Sequence, residues 1–120
     1  MKTKQGKAVQ AYVTLQMMGK KQINNFTAYK LYRLKKDLQQ VVEFQSEQEE
    51  KLIQELGGTV ENGQLNVPEG KGPEFNQRHR ELEEMECEID RDKITICMKE
   101  LPQISISEME ALDEFVDWKE

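Results

Sequence analysis

A mixed α+β fold is predicted by three features of this chain. Between Phe26 and Leu56 runs a stretch of about thirty residues with no Gly or Pro and with apolar side chains at helical spacing. Asn62-Gly63 then falls among the alternating residues of Thr59–Val67, the strongest local signal for a β-hairpin, because both central residues of a type I′ turn need positive φ. From Met85 onward the apolar period shortens from helical to two. Together these predict a long helix and a shorter antiparallel helix joined by a β-hairpin, with a small strand pair and short terminal helices. At 120 residues the chain is expected to form a single domain, 1–120.

Ala8, Val9, Tyr12, Leu15 and Met18 recur at helical spacing, so residues 7–18 form the first predicted helix, ending at Gly19. Lys20-Lys21-Gln22 is the link. The long helix opens with Asn25 or Thr27 as N-cap, since either side chain can accept from a free backbone N–H. Leu31, Leu34, Leu38 and Val41 come next in the 3-4 spacing of a coiled-coil seam; Gln45 and Gln48 interrupt it and Leu52 resumes it. A helix of this length spans about 45 Å, more than a globule of this size needs. A protruding helical hairpin or self-association along the seam Leu31, Leu34, Leu38, Val41 and Leu52 is therefore expected.

Beyond the hairpin, Pro68–Pro73 is a loop, and Pro73 suits the first helical position, where its missing N–H costs nothing. Phe75, His79, Leu82 and Met85 make the apolar stripe of the second helix. Met85, Cys87 and Ile89 then alternate with Glu86, Glu88 and Asp90, and Ile94, Ile96 and Met98 alternate after the polar Asp90–Lys93. These two short strands are expected to pair with each other. Ser107 and Glu110 have capping-box spacing, opening a last helix that buries Met109, Leu112, Phe115 and Val116.

The net charge of −6 is unevenly spread. Residues 1–40 hold nine basic residues against Asp37 alone, a charge of +8, which leaves −14 for residues 41–120. Two readings are open: the asymmetry marks a polyanion-binding arm or an acidic interaction face, or the two halves fold together and neutralise one another, the second being favoured in so small a domain. Charged residues make up 33% of the chain and apolar ones 37%, so core residues are few and part of the surface is expected to meet a partner. No apolar run is long enough for a membrane span, and no apolar segment comes after Met1–Lys7, so the expectation is a protein neither embedded in a membrane nor exported by a signal peptide. Cys87 and Cys97 lack zinc-ligand spacing and read as buried thiols in a reducing cytoplasm.

No phosphate-binding loop, dinucleotide fingerprint or activated Ser or Cys nucleophile occurs, so neither an enzyme nor a cofactor is expected. His79, the single histidine, lies on an apolar stripe and reads as a half-buried packing residue. The acidic run Glu81, Glu83, Glu84, Glu86, Glu88, Asp90 and Asp92 lacks the calcium-loop pattern and reads as a solvated face rather than a metal site. The remaining candidate is a mixed aromatic and basic patch, Tyr29, Tyr32, Arg33 and Lys36, opposite the leucine seam, with Lys20 and Lys21 in the preceding link. The helix at 7–18 needs a packing surface, and the two tyrosines are the expected one.

The order of these segments, with Thr27-Ala28-Tyr29-Lys30-Leu31-Tyr32-Arg33-Leu34-Lys35-Lys36, the Glu61-Asn62-Gly63 hairpin, Pro73–Asp90 and Ile104–Phe115, resembles a group of uncharacterised small phage and prophage proteins across most of the chain. The resemblance implies a phage or prophage context and carries over no site residues, since that group has no assigned activity. The expected function is that of a phage or prophage accessory protein acting by protein–protein interaction, in particle assembly or on a host factor, with homo-oligomerisation. The expected setting is the bacterial cytoplasm or the virion. The alternative is a nucleic-acid or nucleotide binder using the basic N-terminal third.

Overall fold

In the computed structural model, which describes residues 1–120, one long helix forms the axis of a molecule measuring 50 × 27 × 22 Å. The chain begins with strand β1 (Lys2–Lys4) and helix α1 (Gln5–Met17), prolonged by a 3₁₀ turn at Met18–Lys20. The axial helix α2 (Asn25–Glu55) has 31 residues. Its N-cap is Asn24, whose side chain accepts from the Thr27 N–H at 3.0 Å, one residue before the earlier of the two expected caps. Thr27 is buried instead, its hydroxyl donating to the Glu100 carboxylate at 3.0 Å, a partner far along the chain that local sequence does not announce. At the other end Gly57, with φ of 83°, closes the helix: its N–H bonds the Gln54 carbonyl and the Gly58 N–H bonds that of Ile53, the paired bonds of a Schellman motif.

The leucine seam is covered by the chain itself. α1 lies along the N-terminal half of α2, presenting Ala8, Ala11, Leu15 and Met18 to a core that holds Leu31, Leu34, Leu38 and Val41. Ala8 and Ala11 are wholly buried, and their small side chains let the two helices approach closely. The expected oligomer seam is thereby corrected: these four residues are spent on intrachain packing. Leu52, the fifth, is buried with Ile53 and Leu56 in a separate group at the far end, where a later hairpin and helix cover α2.

That hairpin is β2 (Thr59–Glu61) and β3 (Gln64–Asn66), paired antiparallel around Asn62 (φ 52°) and Gly63 (φ 76°), the two positive φ values that the type I′ turn requires. Helix α3 (Gly72–Glu84) comes next, with Pro73 in its first turn as expected. Strand β4 (Glu86–Glu88) and strand β5 (Ile94–Cys97) form where the period-two pattern places them, but they do not pair with each other. β4 pairs antiparallel with β1, setting Lys2 opposite Glu88 and Lys4 opposite Glu86, and β5 pairs in parallel with a last strand, β6 (Val116–Lys119). The polar segment between β4 and β5 makes no hairpin because its groups are engaged elsewhere. Arg91 donates to Asp37 of α2 at 2.7 Å, and the Met1 amino group donates to the carbonyls of Ile89 and Arg91.

Helix α4 (Ile106–Leu112) is capped by the box Ser105 and Glu108, two residues before the expected Ser107 and Glu110. Glu108 also lies 3.5 Å from the Lys21 ammonium, a further partner for the carboxylate that closes the box. Ending at Leu112, α4 leaves Phe115 and Val116 outside the helix; both are buried as expected, but from the turn and strand beyond it, and Met109 is only half-buried.

Candidate functional site

Five side chains of α2 share the face opposite its buried stripe: Phe26, Tyr29, Tyr32, Arg33 and Lys36. The spacing 26, 29, 33, 36 matches the helical repeat, so burying Leu31, Leu34 and Leu38 necessarily turns these outward. Phe26 is 84% exposed, Tyr29 57% and Tyr32 56%. The expectation that α1 covers the tyrosines is thus corrected. α1 crosses the side of α2 that carries Leu31 and Lys35, where Tyr12 of α1 receives the Lys35 ammonium 5.5 Å from its ring centre. Left in solvent, the Tyr29 and Tyr32 rings stand 6.4 Å apart at a 37° tilt, and Arg33 donates to the Tyr29 hydroxyl at 3.4 Å.

The basic third is neutralised only in part. Lys4, Lys7 and Lys21 meet Glu84 at 2.5 Å, Glu114 at 3.5 Å and Glu108 at 3.5 Å, the neutralisation expected between the two halves. Glu84 holds the Lys4 ammonium pKa above its usual value by hydrogen bond and charge, and the same contact lowers that of Glu84. Lys21 is further tied to the Gln103 carbonyl at 2.7 Å, which withdraws part of its donor capacity from any partner. Lys2, Lys20, Lys30, Arg33, Lys35 and Lys36, by contrast, form no ion pair with the rest of the chain. From Met18 to Lys36 there are six basic residues and no acidic one. Most of the basic residues without an ion pair therefore lie beside the exposed aromatics, with Asp37, Glu88 and Asp90 lining a hollow next to Arg33.

Between the end of α1 and the start of α2 lies a cleft of about 250 Å³. Leu15, Met18, Ile23, Ala28 and Leu31 give it an apolar lining, and Tyr32, Lys21 and Lys35 complete it. The sequence reading missed this cleft because Ile23 and Ala28 belong to no periodic stripe; Ile23 in an otherwise polar link was the available signal.

The remaining chemistry-bearing residues are structural. His79 is half-buried as expected and stacks on Phe75, with ring centres 5.3 Å apart. It also does what the sequence did not announce: Nε2 lies 2.8 Å from Glu49 of α2 and Nδ1 2.8 Å from Glu83, linking α3 to α2. In the acidic run, Glu84 is used by Lys4 and Glu88 by the Met1 amino group, and no three His, Cys, Asp or Glu side chains are grouped to hold a metal ion. Cys87 and Cys97 are free thiols, half-buried rather than buried, and burial together with Glu114 and Glu88 raises the Cys87 pKa, which makes it a poor nucleophile. No helix is long and apolar enough to cross a membrane. Comparisons with known protein families, with curated proteins and with solved structures return no match.

Proposed function

We propose that the protein is a protein–protein interaction module whose contact surface is the outer face of the N-terminal half of α2. The observation that carries this reading is the exposure together of Phe26, Tyr29 and Tyr32 beside Arg33 and Lys36. Three aromatic rings within seven residues give up much apolar area to water, and Tyr and Arg are the side chains that most often anchor interfaces. The phage or prophage setting, in particle assembly or on a host factor, rests on the resemblance of the chain to that group. One observation favours the nucleic-acid alternative: tilted neighbouring tyrosines with an arginine can receive stacked bases. A net charge of −6 on the same small domain opposes it, since a polyanion spanning more than this face meets repulsion.

A photo-crosslinking amino acid placed at Tyr29 or Tyr32 tests the reading in cells. The expected result is a discrete, protease-sensitive adduct that is absent when the crosslinker stands at Glu50, an exposed residue of the other half of α2. A nuclease-sensitive adduct, or none, overturns it.

A further inference from the structure

We infer that the occupant of this face is an acidic protein segment bearing one apolar anchor side chain, with the anchor seated in the cleft between α1 and α2. This rests on the protein-binding reading above and adds the chemistry of the partner. Charge selects the acidic character: Lys20, Arg33, Lys35 and Lys36 form no ion pair within the chain, whereas Lys4, Lys7 and Lys21 do. The face is thus left with cations that a partner's carboxylates can complete. The cleft selects the anchor. At about 250 Å³ it falls below the roughly 300–1,000 Å³ of sites that enclose a drug-sized ligand, and its lining is mostly apolar, from Leu15, Met18, Ile23, Ala28 and Leu31. A single aliphatic or aromatic side chain fits both the volume and the lining, and Lys35 and Tyr32 beside it place charge and aromatic surface where the flanking residues of such a segment lie.

A second copy meeting the same face about a two-fold axis is disfavoured, because an isologous contact sets this basic face against another basic face. Nucleic acid satisfies the charge but leaves the apolar cleft without a counterpart, since bases stack on the exposed rings rather than enter a pocket of aliphatic side chains.

The probe is a short fluorescent peptide of glutamates carrying one central leucine, compared with the all-glutamate peptide and with an oligothymidine of similar charge. Anisotropy titrations are expected to show the leucine peptide binding at least about ten-fold more tightly than the all-glutamate one, the factor given by burying one leucine side chain. Both affinities are expected to fall with added salt. Ala28→Leu, which fills the cleft from a half-buried helical position, is expected to erase the difference between the peptides. Lys36→Glu, at an exposed position, is expected to weaken both. Equal binding of the two peptides, no binding of either, or tighter binding of the oligothymidine overturns the inference. So does a sedimentation mass above the monomer that salt abolishes, which gives the face to the acidic part of a second copy. Crosslinking through Tyr29 to a polypeptide remains a separate readout, so loss of the anchor inference is distinguishable from loss of the protein-binding reading.

Discussion

The two halves of α2 solve one problem in two ways. Each carries an apolar stripe that must be covered. The N-terminal half is covered by parts of the chain far apart in sequence: α1, the isoleucines Ile89, Ile94 and Ile96, and Leu112, Phe115 and Val116 near the C-terminus, which together make a core of fourteen buried residues. The C-terminal half is covered by its immediate successors in the chain, the β2–β3 hairpin and α3, with only Leu52, Ile53, Leu56 and Leu82 buried. Between the two stands Gln45, 4% exposed, its side-chain oxygen without a partner in the chain. The interruption of the leucine seam at Gln45 and Gln48 is therefore a junction: the stripe passes there from one set of covering elements to another.

The comparison is most sharply tested by cutting a cavity in each core. Leu38→Ala is expected to cost about 3–5 kcal/mol and to lower protection from hydrogen exchange throughout the chain. Ile53→Ala is expected to cost about 2–4 kcal/mol, with exchange accelerating first in the hairpin and α3 while α1 and β5 keep their protection. Simultaneous loss of protection everywhere in both variants would mean that the two cores form one cooperative unit.

The hairpin end offers smaller, more local effects. A Cβ on Gly58 would run into the Asn66 carbonyl oxygen and the Ile53 side chain, so Gly58→Ala is expected to destabilise by about 1–3 kcal/mol as the strand is pushed off α2. Gly63→Val is expected to cost more than about 1 kcal/mol, because a β-branched residue resists the positive φ of the turn. Urea melts monitored at the hairpin by NMR measure both, and an unchanged Gly63→Val melt would remove the type I′ turn from the stability of this half.

At the other end, Ser105→Ala is expected to lower stability by about 1 kcal/mol and Ser107→Ala by less than about 0.5 kcal/mol, since only Ser105 caps α4. A smaller effect is expected with pH. The backbone N–H of Ser105 holds the Glu108 carboxylate below its ordinary pKa of 4.5, aided by the Ser105 hydroxyl and Lys21. A carboxylate lowered on folding stabilises the fold at pH above its unfolded value, and that contribution is lost as pH falls through the acid range. Glu108→Gln is expected to flatten this part of the stability profile measured by thermal melts between neutral and acid pH.

Reading the chain succeeded where structure is set by near neighbours. The type I′ turn needs Asn62-Gly63, α3 has Pro73 in its first turn, and the length of α2 comes from the absence of Gly and Pro before Gly57, because each of these is a backbone preference expressed within a few residues. The helical repeat likewise set Tyr29, Tyr32, Arg33 and Lys36 opposite Leu31, Leu34 and Leu38, although the tyrosines were expected to lie under α1 and do not. Even the β1–β4 pairing left a trace, in Lys2 and Lys4 spaced to face Glu88 and Glu86 across two strands.

What only the tertiary structure decided was which of several chemically equivalent partners each element takes. β5 pairs with β6 rather than β4, α4 opens at Ser105 rather than Ser107, and Asn24 caps α2 while Thr27 turns to Glu100. In each case the arrangement the chain adopts carries a contact with a residue distant in sequence: β6 for β5, Lys21 for Glu108 and Glu100 for Thr27. The same holds for the candidate face. Its residues and charge are written in the sequence, but its exposure depends on where α1 crosses α2, and the wholly buried Ala8 and Ala11 set that crossing beside the tyrosines rather than over them.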